Sequence, residues 1–365
     1  MRIVALLFAA SLIINSLDTA SAQSATAAAP TAQQLVDRGV EFLRKSQADD
    51  GSFSKQAGPG ITAIVATGLL ENGIPASDPT VAKALDYLKT FARTDGAIAA
   101  EGSKYSNYET CMAIRAFKKA NGAGKYDELL KNAGAYVKHI QWDSDEDHPE
   151  SSDFYGGAGY GGHARPDLSN TTFLLDALQA LDTPADDEAV QRALVFVSRC
   201  QNLPSKYNET KFPALNPDGG FYYTIAQGGS SQAGALPNGG LRSYGSMTYA
   251  GLKSMLYAGV DKDDPRVKAA VEWLQQHYSL EENPGMGDSG LYYYFHTFAK
   301  ALSAYGESSF AEKDGDKHDW KSELVAALAA RQKDDGSWAN ANERWLEADP
   351  NLATGYVLLA LSYAK

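Results

Sequence analysis

The heptapeptide Gln47-Ala48-Asp49-Asp50-Gly51-Ser52-Phe53 returns near the other end of the chain as Gln332-Lys333-Asp334-Asp335-Gly336-Ser337-Trp338. Each copy follows a run with helical spacing and precedes another. A motif that returns in the same setting marks an internal repeat. Before the first copy, Leu35 to Ser46 has apolar residues at Leu35, Val36, Val40, Phe42 and Leu43, the pattern of an amphipathic helix. Asp50-Gly51 supplies a turn, because glycine accepts positive φ. After it, Ile61 to Leu70 is almost wholly apolar, and a helix apolar on all sides is a buried one. The unit is therefore an outer helix, an Asp-Gly turn and an inner helix.

The remaining chain divides the same way. Further outer helices are expected over Val81 to Phe91, Asp127 to Ile140, Glu188 to Cys200, Pro265 to His277 and Trp320 to Ala330. Their inner partners are Tyr108 to Lys119, Asn170 to Leu181, Ser246 to Tyr257, Tyr294 to Tyr305 and Ala353 to Ala364. Each inner helix carries a threonine near its start: Thr62, Thr110, Thr171, Thr248, Thr297 and Thr354. A hydroxyl there is expected to cap free N–H groups of its own helix. Six such pairs close into a ring, so the fold class is all-α, a single α/α toroid over residues 34–365. Closure also explains the lack of a polar terminal repeat, which an open solenoid needs. The Asp-Gly turns are expected to crowd one face. The opposite face, where inner helices start, is expected to form any axial pocket. Phe221 to Ile225 reads as part of a loop hairpin, and Gly156 to Gly162 as a mobile connection near the mouth.

Composition sets outer limits. The net charge of −12 over 365 residues argues against a nucleic-acid footprint. Arg2, the apolar stretch Ile3 to Ile14 and the small residues Ala20-Ser21-Ala22 read as a signal peptide over 1–22, cleaved near Ala22. Residues 23–33 read as a flexible leader. The expected product is an exported protein, periplasmic or secreted, with no transmembrane segment in the mature chain. The alternative is retention of the N-terminus as an anchor. Export permits a disulfide between Cys111 and Cys200, and two buried thiols are the other reading. No Cys-x-x-Cys, Rossmann glycine pattern or phosphate loop is present, and no metal or cofactor is expected.

The Gln-x-x-Asp-Gly-Ser-aromatic segments at Gln47 and Gln332 resemble the repeat motif of squalene cyclases. Asp95-Gly96 and Asp218-Gly219-Gly220-Phe221 read as degenerate copies. The chain thus resembles the α/α toroids of the terpenoid cyclase and protein prenyltransferase superfamily over roughly residues 34 to 365. This resemblance implies fold more than activity. The cyclases protonate an alkene through an Asp-x-Asp-Asp-Thr motif at an inner-helix start. In Asp167-Leu168-Ser169-Asn170-Thr171, Asp167 matches the first Asp, with Ser169 and Asn170 where acids would stand. The prenyltransferases hold zinc with Asp, Cys and His. His296 in Tyr294-Phe295-His296-Thr297 would match the histidine, but Tyr244 and Ser246 stand where the other ligands would be.

Several clusters carry candidate chemistry. Asp288, Tyr292, Tyr294 and His296 crowd one inner-helix entrance, and Tyr249 opens the preceding inner helix. Aromatic faces there would line a cavity and stabilise a carbocation; ordinary core packing is the plainer reading. His163 and Arg165 precede Asp167, a set for acid–base work or anion binding, or else an ion-paired loop. Tyr108 and Glu109 open another inner helix, where Glu109 is either a buried acid or a partner of the helix's positive end. The run Asp143, Asp145, Glu146 and Asp147 lacks the glycine and final glutamate of an EF-hand, and reads as a solvated loop.

The site residues expected to act are His296, Asp167, His163 and Glu109, with Tyr108, Tyr249, Tyr292, Tyr294, Arg165 and Asp288 as ligand contacts. The ligand is expected to be an isoprenoid or other apolar small molecule in an aromatic axial cavity. Two other classes remain open. A carbohydrate-active lyase or hydrolase predicts a polar groove with two carboxylates roughly 5–10 Å apart. A non-catalytic interaction module predicts a filled axis and functional loops over 142–167 and 202–244.

Overall fold

The computed structural model describes residues 30–312 and 315–365; the expected signal peptide and most of the leader lie outside them. The outer helices are α1 (Ala32–Ser46), α3 (Pro79–Lys89), α5 (Asp127–His139), α7 (Glu188–Arg199), α10 (Pro265–Gln276) and α12 (Trp320–Ala329). The inner helices are α2 (Pro59–Glu71), α4 (Ser106–Lys119), α6 (Leu168–Ala180), α9 (Gly245–Tyr257), α11 (Leu291–Tyr305) and α13 (Pro350–Tyr363). A single-turn helix, α8 (Phe212–Leu215), lies in the long loop before α9. Each inner helix packs on the next, and α13 returns to α2, which closes the ring. The fold class expected from the repeat is the one observed.

Burial explains the two helix types. In α2, Pro59 through Leu70 are all buried. In α1 the buried residues are Leu35, Val36, Gly39, Val40 and Leu43, one stripe of the helix. An inner helix meets neighbours on every side, whereas an outer helix needs only one apolar face.

The motif glycines set the spacing between neighbouring units. Gly51 packs against the Lys83 carbonyl, Gly96 against that of Asn132, Gly156 against that of Arg192 and Gly336 against that of Arg38. All four have positive φ, and a Cβ at any of them would overlap the next outer helix. Gly219 makes the same approach to Ala269. The motif glutamine ties the same junction. Gln47 Nε2 donates to Gly51 O at 3.0 Å and to Thr80 O at 2.8 Å, at the start of α3. Gln332 does so to Gly336 O and to Leu35 O of α1, so the last unit is stitched to the first. Gln141 and Gln201 repeat the arrangement toward α7 and α10.

Three expectations are corrected. The threonine hydroxyls do not cap their own helices. Thr62, Thr110, Thr171, Thr248 and Thr354 accept the backbone N–H of Phe53, Ile98, Ala158, Phe221 and Trp338, at 2.9–3.1 Å. They anchor the motif turn to the inner helix. Thr297 instead donates to Tyr293 O and Tyr294 O. Second, Gly156 to Gly161 is packed, and only Gly162 of the glycines there is in open space: Gly156 is the third unit's motif glycine, and Cβ atoms on Gly157, Gly159 and Gly161 would collide with neighbours. Third, the motif turns lie at the same end as the inner-helix starts, because each outer helix must finish where its inner partner begins.

Phe221 to Ile225 forms no named strand, only isolated bridges of Phe221 to Gln201 and of Thr224 to Ser230. The described strands are β1 (Phe310–Ala311) and β2 (Lys317–His318), an antiparallel pair between α11 and α12. Cys111 and Cys200 are both free and buried, and burial raises both thiols well above their ordinary range. Among the described residues, no helix is long and apolar enough to cross a membrane.

Candidate functional site

A cavity of about 940 Å³ opens at the ring end where the inner helices start. One wall is aromatic: Tyr108 from α4, Phe173 from α6, Tyr293 from α11 and Tyr356 from α13. These rings meet edge to face, with centroids 5.4 Å apart for Tyr108–Phe173 and 5.9 Å for both Phe173–Tyr293 and Tyr293–Tyr356. They come from the first two turns of four inner helices, so the ring itself assembles them. The loops add Tyr160, Tyr223 and Tyr244. At the rim stand Tyr105, Trp345 and Leu346, which are 54%, 41% and 55% exposed. Trp345 and Leu346 are consecutive left-handed residues, with φ of 56° and 64°. That conformation turns both side chains onto the rim rather than into the core.

Two buried acids share the wall. Glu109, in the first turn of α4, is 3% exposed and accepts from Ala100 N at 3.3 Å. Burial raises its carboxyl above the ordinary range, against hydrogen bonds from Ser103 and Ala100. Glu347 is 1% exposed and accepts from Tyr293 N at 2.7 Å, Tyr292 N at 3.2 Å and Asn340 Nδ2 at 2.9 Å. It therefore fills the N-terminus of α11 with a carboxylate. Burial outweighs those bonds and raises it too.

Of the residues expected from sequence, Tyr108 and Glu109 line this cavity. Asp167 does not. It is the N-cap of α6, accepting from Asn170 N at 2.9 Å and Asn170 Nδ2 at 2.8 Å. Burial pushes its carboxyl up to about 6. The phenol of Tyr223 adjoins it, so Asp167 meets the cavity only through that ring. Ser169, two residues on, is the side chain that reaches the wall, and its hydroxyl lies 3.2 Å from that of Tyr293. His163 and Arg165 are exposed, and His163 packs on Trp142. Tyr249 and Tyr294 are core residues against Phe298; the Tyr294 hydroxyl donates to Ser279 O. Tyr292 is buried beside Phe295. Asp288 accepts from Asn342 Nδ2 and orders the loop before α11.

His296 lies below the cavity, 3% exposed, its ring stacked on Tyr356 at 6.0 Å. Its Nδ1 has no hydrogen-bond partner. Burial, and then the nearby charges of Arg115 and Lys300, hold it neutral, well below the ordinary histidine range. No group of three or more metal-ligating side chains gathers around it or elsewhere among the described residues.

Beneath the aromatic floor, the axis is filled by charge. Asp176 of α6 lies 2.6 Å from Lys253 Nζ of α9 and 2.8 Å from Lys300 Nζ of α11. All three side chains are at most 4% exposed. Despite burial, the two lysines, with Arg115, hold the Asp176 carboxyl well below its ordinary range. Burial lowers both lysines. Sequence reading passed over this cluster, because its members are single charges on separate helices. The available signal was a charge within an otherwise apolar inner helix: Asp176, Lys253 and Lys300 each sit four or five residues before their helix ends.

Comparison with known proteins bears on the fold. The profile of the squalene-hopene cyclase C-terminal domain matches residues 55–226. Among solved structures, the type II terpene cyclase MstE from Scytonema superposes with a TM-score of 0.54 at 13% identity, over 91% of this chain and 98% of that one. A polysaccharide lyase, BACCELL_00875, superposes at 0.55 and 10% identity, over 92% of this chain and 97% of the other. A possible member of the GH105 family from Salmonella enterica serovar Paratyphi A superposes at 0.52 and 9% identity, covering 96% and 98%. The sequence has no match among curated proteins. The match over residues 55–226 and these superpositions show that the chain has the α/α-toroid fold that terpene cyclases share and that it is similar in part to the squalene-hopene cyclase C-terminal domain.

Proposed function

We propose that the protein, exported by its N-terminal signal, binds an isoprenoid or other apolar ligand in the cavity at the inner-helix mouth. The observation that carries this reading is the wall of Tyr108, Phe173, Tyr293 and Tyr356 around about 940 Å³. Such a wall offers a large apolar surface, and its ring faces favour positive charge. A variant of MstE binds geranylgeranyl dihydroxybenzoate, its substrate, on the same fold. If the ligand is transformed, Glu109 is the group placed to do it: a buried carboxyl on the wall, kept protonated to higher pH than usual. Asp167 then supports Tyr223 and the start of α6 rather than touching the ligand.

The second reading is a carbohydrate-active enzyme. What favours it is that two buried carboxyls, Glu109 and Glu347, share one wall. Mass spectrometry of molecules that co-purify with the mature protein tests the first reading. Recovery of an isoprenoid is the expected result. A cavity that comes through empty and then takes up oligosaccharides would sink it.

A further inference from the structure

The cavity sits where the starts of six inner helices converge. Each helix start carries partial positive charge and unpaired N–H groups, so a ring of them is by default an anion site. Here at least one of those donors is already engaged at every start but that of α2. Asp167 accepts the N–H of Asn170 in α6. Glu347 accepts those of Tyr292 and Tyr293 in α11. Asp349 accepts those of Asn351 and Leu352 in α13. In α9, Pro284 O and Asn283 Oδ1 take the first two N–H groups. Tyr160 O takes the Tyr108 N–H in α4, and α2 opens on Pro59, which has none.

The side chains add to this. Glu101, Glu109, Glu347 and Asp349 line the cavity, against a single base, Lys104, among the described lining residues. Lys104 is exposed, so solvent screens it, while Glu109 and Glu347 are buried. The bases of the axis, Lys253, Lys300 and Arg115, outnumber Asp176, but they lie beneath the floor and none of them lines the cavity.

We infer that the cavity selects against anions and takes an amphiphile whose polar end is a neutral or cationic hydrogen-bond donor, an alcohol or an amine, received by Glu109. This rests on the reading of the cavity as an apolar-ligand site. A diphosphate or carboxylate head would meet carboxyls, with donors at five of the six helix starts already in use and no buried base to pair with.

The test is a series with one hydrocarbon tail and three heads: geranylgeraniol, geranylgeranylamine and geranylgeranyl diphosphate. Each is titrated into the mature protein near neutral pH and followed by intrinsic fluorescence. The alcohol and amine are expected to bind, with the diphosphate weaker by at least about tenfold. Glu109→Gln, checked for native helicity and unchanged thermal unfolding, is expected to weaken the amine at least about threefold more than the alcohol, because glutamine can still accept a hydrogen bond but carries no charge. Diphosphate binding equal to or tighter than the alcohol overturns the charge preference but leaves the apolar-ligand reading standing. Failure of all three heads to bind overturns both.

Discussion

Lys300 Nζ lies 2.8 Å from the Asp176 carboxylate in the axis of the ring, and neither side chain is more than 4% exposed. Lys253 meets the same carboxylate at 2.6 Å. Two cations around one anion, with Arg115 nearby, leave the site rich in positive charge. A buried charge is tolerated only while its partner remains, so removing the shared one is the costly change. Asp176→Asn is expected to destabilise the fold by about 3–5 kcal/mol in denaturant unfolding. Lys300→Met, which removes one of the surplus cations, is expected to cost much less or to stabilise. Equal losses from both would refute the assignment of Asp176 as the shared partner.

Burial predicts a pH effect on stability at Asp167. Its carboxyl is raised to about 6 from the ordinary 3.8. The folded state therefore binds the proton more tightly than the unfolded chain. The stability it contributes is full below pH 3.8, falls as pH rises through about 6, and is then level. At about 1.4 kcal/mol for each pH unit, the span is on the order of 3 kcal/mol. Asparagine can still cap α6, so Asp167→Asn is expected to be more stable than wild type at pH above 6 and to lose this slope. Thermal melts of the two proteins between acid and mildly alkaline pH decide it, and a destabilised variant in the alkaline range counts against the idea.

Glycine positions separate close approach from backbone strain. Gly156 and Gly102 both have positive φ, 78° and 68°. A Cβ on Gly156 runs into the Arg192 carbonyl, while nothing lies within 4 Å of one on Gly102. Gly102→Ala is expected to cost roughly 1–2 kcal/mol, the penalty for left-handed backbone alone. Gly156→Ala must also push α7 away, and is expected to cost more than twice as much. Similar melting temperatures for the two variants would show that the junction is loose.

Among the threonines, Thr248 accepts the Phe221 N–H at 3.1 Å, whereas Thr297 accepts no N–H from a motif turn. Replacing Thr248 with valine keeps the shape and orphans a buried donor, at a cost of about 1–3 kcal/mol. Thr297→Val is expected to cost less, because the Tyr293 and Tyr294 carbonyls it leaves are acceptors within a helix. Urea unfolding of both gives the comparison.

How much of this was legible in the chain differs by level. The heptapeptide at Gln47 and Gln332 shows the repeat, and helix boundaries followed to within a few residues because period and composition mark inner and outer runs. The third motif was missed. Gln141 and Gly156 do the work of Gln47 and Gly51, but a loop separates them by fifteen residues instead of four. Hydrogen bonds join them through space, and spacing along the chain does not reveal that.

The site was legible only in part. Tyr108 and Glu109 reach the cavity, and Ser169 rather than Asp167 faces it. A helix start presents different side chains inward and sideways, and one residue's shift turns a wall group into a cap. Tyr293, Tyr356 and Glu347 have no local signature, since each matters only beside residues from other helices.

The sequence by itself determined the architecture, because repetition, helical period and the turn chemistry of Gln, Gly and an aromatic are local properties. Tertiary structure alone decided which acids are buried together, which helix starts are already filled with carboxylates, and that Asp176, Lys253 and Lys300 meet. Those are facts of ring closure: charges hundreds of ångströms apart along an extended chain become neighbours only when six helices share one axis.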